Sequence, residues 1–380
     1  MKALILNSGL GHRMGVLTSE HPKCMTEISA HDTILSRQLK IIAEAGIKEV
    51  VMTTGYFDEI LVNYCRSLDL PLHYSFVNNP LYDSTNYIYS IYCARDLLRD
   101  NDIVFMHGDL VFETAVFDAV LQNPQSCMTV SSTLDLPEKD FKAVVYDGRV
   151  SKVGIEFFTD ALAAQPLYKL NKEDWNVWLD EICRFCENDT RKCYAENALN
   201  QVSDRCDIRA LDVRNALCAE IDTPEDLAVV SAKVHEVDNR IVYMCFATDI
   251  IHSGHISILR KAKRLGKVVV GVLSDEAVKT YRRSNIVPFE ERKTLLENLR
   301  AVSAVVEQKT LSYATVLKEL KPDFVVHGDN WKTGIQEKVR EEVIEILASY
   351  GGRLVEFPYA GDQKLQEIEN LTAAKEIFKL

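Results

Sequence analysis

The chain has no run of about eighteen consecutive apolar residues, so nothing in it reads as a membrane span. Its opening apolar stretch, Leu4-Ile5-Leu6, is too short for a secretion signal, and a cytoplasmic location is expected. An excess of basic charge is also missing: 44 Lys and Arg stand against 56 Asp and Glu, a formal net charge of -12. A nucleic acid or an anionic membrane needs a broad field of the opposite sign, so neither is expected as a partner and any phosphate site must be local. The group Cys183, Cys186, Cys193 and Cys206 has no neighbouring His and no regular spacing. A zinc knuckle and free thiols are the two readings, and the helical pattern from Asp180 to Cys186 favours thiols. Most of the other cysteines sit inside apolar segments, as reduced thiols do.

What is present is an ordinary globular composition, 47% apolar and 26% charged, at a length of 380 residues that predicts two domains. Leu4-Ile5-Leu6 passes through Asn7-Ser8-Gly9-Leu10-Gly11 to Arg13, and Pro22-Lys23 adds a second cation. Small residues let backbone N–H groups approach a phosphate, while Arg13 and Lys23 supply fixed positive charge. A helical period from Ile34 to Ala45 completes an order that reads as a triphosphate cradle.

To about residue 130, apolar strands alternate with helical patterns, which predicts a doubly wound sheet with ligands beyond the carboxyl ends of its strands. Two carboxylates leave such ends, Asp109 after Ile103–Met106 and Asp222 after Ala219-Glu220-Ile221. Both suit Mg²⁺, although Asp109 also fits a strand-ending turn and Asp222 an N-cap for the helix that Thr223-Pro224 begins. Shorter strands over 128–154 carry Lys142 and Lys152, candidates for an anionic group or solvated edge charges. Tyr194 and Glu196 are candidates for holding an ammonium group, whereas Trp175 and Trp178, at i and i+3, read as helix packing.

These pieces resemble the nucleotidyltransferase family of sugar-phosphate and phosphocholine cytidylyltransferases, in particular its phosphocholine- and phosphonate-activating branch. The resemblance rests on LNSGLGHRMG, PKCM, NNPLYDSTNYIYS, Gly108-Asp109 and EIDTPEDL, and covers residues 1 to about 235. It implies that Leu6, Asn7, Ser8, Gly9, Gly11 and Asn86 line the nucleotide crevice. It also implies that Arg13 and Lys23 neutralise the CTP phosphates and that Asp109 and Asp222 bind Mg²⁺. The opening reads LNSG where the family usually has LAAG. An acceptor phosphate or phosphonate oxygen would attack the α-phosphorus of CTP as pyrophosphate departs, without a general base.

From Ile241 the α/β rhythm restarts, and Asp249-Ile250-Ile251-His252-Ser253-Gly254-His255 leads into a basic helix. Two imidazoles beside a helix N-terminus suit one phosphate better than a metal. With PFEERKTLLENLR and HGDNWKTG, residues 240–360 resemble the glycerol-3-phosphate cytidylyltransferase group of HxGH nucleotidyltransferases. That resemblance makes Asp249, His252, His255, Lys279, Arg292 and Asp329 the functional candidates, the histidines stabilising the pentacoordinate phosphorus. The group's Ser/Thr-rich closing turn is replaced by Pro358-Tyr359-Ala360-Gly361-Asp362-Gln363-Lys364-Leu365.

The expected fold is therefore α/β, with two Rossmann-like nucleotidyltransferase domains over 1–237 and 240–380, each a mainly parallel sheet flanked by helices. The pairing resembles the N-terminal part of phosphonate-biosynthesis proteins in which a phosphoenolpyruvate mutase follows, and nothing after residue 360 is expected to form that barrel. The implied acceptor is a small phosphonate, 2-aminoethylphosphonate first, then phosphocholine or phosphoethanolamine. A homo-oligomer and a functional link to the mutase complete the expectations.

Overall fold

The computed structural model describes residues 1–9, 11–247, 250–280, 287–332 and 336–358. The chain divides into two compact units, Met1–His235 and Glu236–Leu380. No helix among the described residues is long and apolar enough to cross a membrane.

The first unit opens on β1 (Lys2–Leu6), followed by α1 (Ile34–Glu44), β2 (Glu49–Thr54), α2 (Asp58–Ser67), β3 (His73–Asn78), α3 (Tyr87–Leu98) and β4 (Ile103–His107). β1 lies between β2 and β4, parallel to both, and β3 extends the sheet beyond β2. Its apolar run is buried on both faces. Leu4 and Leu6 join one core with Ile88, Ile91 and Trp178, while Ala3 and Ile5 join another with Leu35, Leu39 and Val116. A strand covered on both sides is apolar throughout rather than alternating, as β1 and β4 are. α1 starts where Thr33 accepts from the Ser36 amide at 3.0 Å and Ser36 Oγ accepts from the Thr33 amide at 2.9 Å. α3 starts where the Asn86 carboxamide accepts from the Tyr87 amide at 2.7 Å.

Next come β5 (Leu110–Phe112), α4 (Thr114–Gln122), β6 (Cys127–Ser131), β7 (Lys142–Tyr146), β8 (Arg149–Gly154) and β9 (Ala161–Leu170). The unit ends with α5 (Lys172–Glu187), α6 (Ala195–Val202), β10 (Arg209–Asp212), β11 (Cys218–Glu220) and α7 (Pro224–Asn239). The nine-stranded order is β3-β2-β1-β4-β9-β6-β10-β8-β7. β9 runs antiparallel to β4, β6 and β7, so the sheet is parallel on the β1 side and mixed beyond β4. The short β11–β5 ribbon pairs Glu220 with Leu110, and the Ile221 amide donates to the Asp109 carbonyl at 3.1 Å.

The second unit contains β12 (Ile241–Phe246), α8 (Ser253–Lys263), β13 (Lys267–Leu273), α9 (Asp275–Thr280), α10 (Phe289–Glu297) and β14 (Ala304–Gln308). Then follow α11 (Ala314–Leu320), β15 (Phe324–Gly328), α12 (Glu337–Ala348) and β16 (Arg353–Phe357). Its five strands are all parallel in the order β14-β13-β12-β15-β16. The direction of winding reverses at β12, which is where such sheets open a crevice.

Candidate functional site

In the first unit the crevice opens at the carboxyl ends of β1 and β4. Gly108 permits the close approach of these two ends, because a Cβ there would overlap the Asn7 carboxamide oxygen and crowd the Leu6 carbonyl. A cavity of about 350 Å³ is lined by Leu6, Asn7, Gly9, Gly11, Arg13, Pro22, Lys23, Cys24, Gly108, Asp109 and Asp222. A second, of about 180 Å³, shares Leu6, Gly9 and Asp109 with it and adds Ser8, Asn79, Tyr82, Asn86, Tyr87 and Ser90 among others. Arg13, Lys23, Asp109, Asp222, Asn86 and the small-residue loop thus meet at one crevice.

Charge in the first cavity is paired. Lys23 Nζ lies 2.5 Å from Asp109 Oδ2 and 2.6 Å from Asp222 Oδ1, and Arg13 Nη2 reaches the same Asp222 oxygen at 2.8 Å. Burial disfavours the Lys23 ammonium, but Asp109 and Asp222 outweigh it and hold its pKa above the usual lysine value. Burial likewise opposes ionisation of Asp109, yet Lys23 and then His107 keep its carboxyl below the ordinary range. Asp109 Oδ1 is buried without a hydrogen-bond partner among the described residues. Such an orphaned hard oxygen beside a second carboxylate fits the all-oxygen coordination of Mg²⁺.

Sequence reasoning missed two further groups at this point. His107 Nδ1 lies 2.7 Å from Glu220 Oε1, and His107, Asp109 and Glu220 offer ligand atoms all within 4.8 Å of one another. Burial works against an imidazolium at His107, but Glu220 overcomes it and raises the pKa to about 9. Burial and then the charge of Asp109 push Glu220 up to about 7. The sequence signal was there: each residue stands two positions before a carboxylate already singled out, in His107-Gly108-Asp109 and Glu220-Ile221-Asp222.

The acceptor candidates are placed differently from expectation. Lys142 is fully buried, with Nζ donating to the Ile155 carbonyl at 2.6 Å and lying 4.1 Å from the Phe158 ring centroid. Lys152 is exposed on β8 and donates to the Asn200 carbonyl at 2.7 Å. Neither lines the two cavities, because the pairing of β7 with β9 turns Lys142 inward and β8 carries Lys152 outward. Glu196 is buried and accepts from the hydroxyls of Tyr87 and Tyr168, which satisfies the carboxylate that was to hold an ammonium group. Burial, and then that carboxylate, hold both tyrosines well above the usual phenol value. Tyr194 packs its ring 5.8 Å from Tyr87 and 4.9 Å from Phe141. Trp175 and Trp178 are core residues, with Nε1 atoms donating to the carbonyls of Leu98 and Ala195. All ten cysteines are free, and no cysteine belongs to a metal-ligating group among the described residues.

In the second unit His252 and His255 lie at the start of α8 with ring centroids 4.2 Å apart, and His252 Nδ1 accepts from the Gly254 amide at 3.1 Å. Arg292 is buried and bound to Asp275 at 2.7 Å, Lys279 is exposed in the last turn of α9, and Asp329 follows β15. Asp249 and residues 359–365 of the closing turn lie outside the described residues.

Residues 3–141 match the model of the MobA-like NTP transferase domain, and residues 246–360 that of the cytidylyltransferase-like family. The CTP:phosphoglutamine cytidylyltransferase of Campylobacter jejuni is 32% identical over 117 residues, 30% of this chain and 45% of that protein. The CMP-5'-(3-aminopropyl)phosphonate synthase of Streptomyces rubellomurinus is 31% identical over 132 residues, 35% of this chain and 21% of that protein. The chain thus spans less than half the length of either. The FAD synthase of Methanopyrus kandleri is 36% identical over 108 residues, 27% of this chain and 68% of that protein. The solved CTP:phosphocholine cytidylyltransferase of Streptococcus pneumoniae shares the fold at a TM-score of 0.50 and 17% identity, over 61% of this chain and 98% of that one. With a MobA-like NTP transferase match at its N-terminus and a cytidylyltransferase-like match at its C-terminus, the chain belongs to the nucleotidyltransferases.

Proposed function

We propose that the first unit, Met1–His235, is a Mg²⁺-dependent CTP:phosphonate cytidylyltransferase whose acceptor is 2-aminoethylphosphonate. The observation that carries this reading is the convergence of Arg13, Lys23, Asp109 and Asp222 on the rim of one crevice. Two cations and two carboxylates there match the needs of nucleotidyl transfer, which are charge neutralisation and in-line positioning rather than proton abstraction. Arg13 and Lys23 hold the triphosphate, and the backbone of Ser8, Gly9 and Gly11 lies close to it. The phosphonate oxyanion attacks the α-phosphorus, a new P–O bond forms, and the α–β bridging bond breaks to release pyrophosphate. Asp109 and Asp222 would hold Mg²⁺, which when bound adds positive charge beside the phosphates.

The phosphonate acceptor is supported by the aminopropylphosphonate relative, and phosphocholine or phosphoethanolamine is the alternative. A coupling to a phosphoenolpyruvate mutase and self-association rest on the sequence resemblance alone. A cytoplasmic location is supported by ten cysteines without a disulfide. For residues 240–380, the histidine pair at the start of α8 supports a second cytidylyl-transfer site, and a nucleotide-binding role without turnover is the alternative.

The test is pyrophosphate release by the full chain from CTP and Mg²⁺, with 2-aminoethylphosphonate, phosphocholine, phosphoethanolamine and glucose 1-phosphate as acceptors. Asp109→Asn is expected to abolish turnover and His255→Ala to spare it. Release with none of the acceptors overturns the enzyme assignment, and loss in His255→Ala alone moves the activity to the second unit.

A further inference from the structure

The smaller cavity of the first unit has a polar floor whose hydrogen bonds run in one direction. Asn79 Oδ1 accepts from the Leu81 amide at 2.9 Å, which fixes the orientation of the carboxamide. Its Nδ2 therefore donates, at 3.0 Å to Ser90 Oγ and at 3.2 Å to Thr85 Oγ1, and Thr85 spends its own hydrogen on the Leu81 carbonyl. Ser90 Oγ lies 2.6 Å from Ser8 Oγ, and Ser8 lines the cavity. Ser90 and Asn79 are each 1% exposed and Ser8 6%.

These partners decide which hydroxyl donates. Among the described residues the only acceptor for the Ser90 hydrogen is Ser8 Oγ. If Ser8 donated to Ser90 instead, the Ser90 hydrogen would be left buried and unpaired, at a cost of about 1–3 kcal/mol, or roughly five- to 150-fold. Ser90 therefore donates to Ser8, and the Ser8 hydrogen is free to point into the cavity.

The adjoining cavity carries Arg13 and Lys23 and suits phosphates, whereas the wall of this one has no Lys or Arg, sets His107 against Asp109, and includes Tyr82 and Tyr87. A neutral planar base fits the second when phosphates occupy the first. We infer that the Asn79–Ser90–Ser8 relay locks the Ser8 hydroxyl as a donor to pyrimidine N3, so that the site selects cytosine over uracil. Cytosine N3 is an acceptor, and uracil N3 carries a hydrogen. Uracil would force Ser8 to reverse and strand the Ser90 hydrogen. Ser90 lines the same cavity but is only 1% exposed, so its part is that of a positioning residue that acts through Ser8. The inference rests on the reading of this crevice as the nucleotide site of a cytidylyltransferase.

The test is equilibrium binding of CTP and of UTP with Mg²⁺ and no acceptor, by calorimetry on the full chain, for the wild type, Ser90→Ala and Ser8→Ala. The wild type is expected to bind CTP at least about fivefold tighter than UTP. Ser90→Ala is expected to bring the UTP to CTP ratio of Kd values close to one, because Ser8 can then turn either way. A merely structural loss would raise both Kd values together and leave the ratio in place. Ser8→Ala is expected to lose the preference by weakening CTP and by lifting the penalty on UTP. An unchanged ratio in both variants, or a wild type without preference, overturns the relay. Pyrophosphate release separates this from the enzyme assignment: turnover that Asp109→Asn abolishes, alongside an unchanged ratio, removes the relay and leaves the cytidylyltransferase standing.

Discussion

Lys23 Nζ donates to Asp222 Oδ1 at 2.6 Å across 199 positions of sequence, and the same nitrogen lies 2.5 Å from Asp109 Oδ2. One ammonium therefore ties the end of β4 to the segment after β11 and counters both carboxylates. Lys23→Met leaves two acids facing each other, with Arg13 beside Asp222 and His107 beside Asp109 as the remaining positive groups. Turnover of CTP is expected to fall by about 10²–10³, the scale of losing one fixed charge aimed at the reacting group. Steady-state pyrophosphate release at saturating Mg²⁺ checks this, and retention of more than a tenth of wild-type turnover contradicts it.

The His107–Glu220 pair predicts a pH dependence of stability. The folded His107 has a pKa raised to about 9 from an unfolded value of 6.5, so folding takes up a proton between the two. Its contribution is fully present below 6.5 and is lost as pH rises through 9. Thermal melts from pH 6 to 9.5 should show a falling midpoint for the wild type and a flatter profile for His107→Gln. Parallel profiles would mean that the pair does not govern this window.

Glu196 ties α6 to α3 through Tyr87 and to β9 through Tyr168. Glu196→Leu leaves two buried phenol hydroxyls without their acceptor and is expected to cost roughly 2–4 kcal/mol, the sum of two hydrogen bonds to a charged group less the apolar gain. Denaturant melts measure it. A variant as stable as the wild type, with a raised acceptor KM, would return Glu196 to the role of ammonium binder.

Gly108 is fixed by close approach rather than by its backbone angles. In Gly108→Ala the new methyl meets the Asn7 carboxamide and the Leu6 carbonyl, so either β1 or β4 must move. Overpacking of this kind costs about 1–3 kcal/mol. Loss of nucleotide binding, at least about tenfold in Kd by calorimetry, is expected with an unaltered far-ultraviolet spectrum.

The parallel half of the first unit was legible because β1 and β4 are apolar runs that give way to small or acidic residues, Asn7-Ser8-Gly9 after the first and Gly108-Asp109 after the second, the local signature of a covered strand that ends at a crevice. β9 was not. Ala161–Leu170 carries three alanines and Pro166, and a proline argues against a central strand. It is tolerated because pairing with β6 jumps from Met128–Tyr168 to Thr129–Gln165, leaving Pro166 inside the irregularity. The carboxylates Asp109 and Asp222 could be picked out from strand ends; His107 and Glu220 stand two positions before them in sequence, but their contact bridges 113 positions and shows only in the fold. Lys142 was misplaced for a related reason. A lysine at a strand start normally reaches water, and only tertiary pairing shows that this one ends on carbonyl oxygens in the interior.

The ten free cysteines are spread over almost every layer of the molecule, and burial pushes every one of their thiols up. A protonated, covered sulfur reacts slowly with an alkylating reagent until its surroundings open. Each cysteine is therefore a clock for its own neighbourhood. Cys24, Cys65, Cys127 and Cys218 time one face of the large sheet, Cys186 and Cys206 the other, and Cys245 the second unit. The order in which they label under mild denaturant gives the sequence in which the layers come apart, without a single engineered probe.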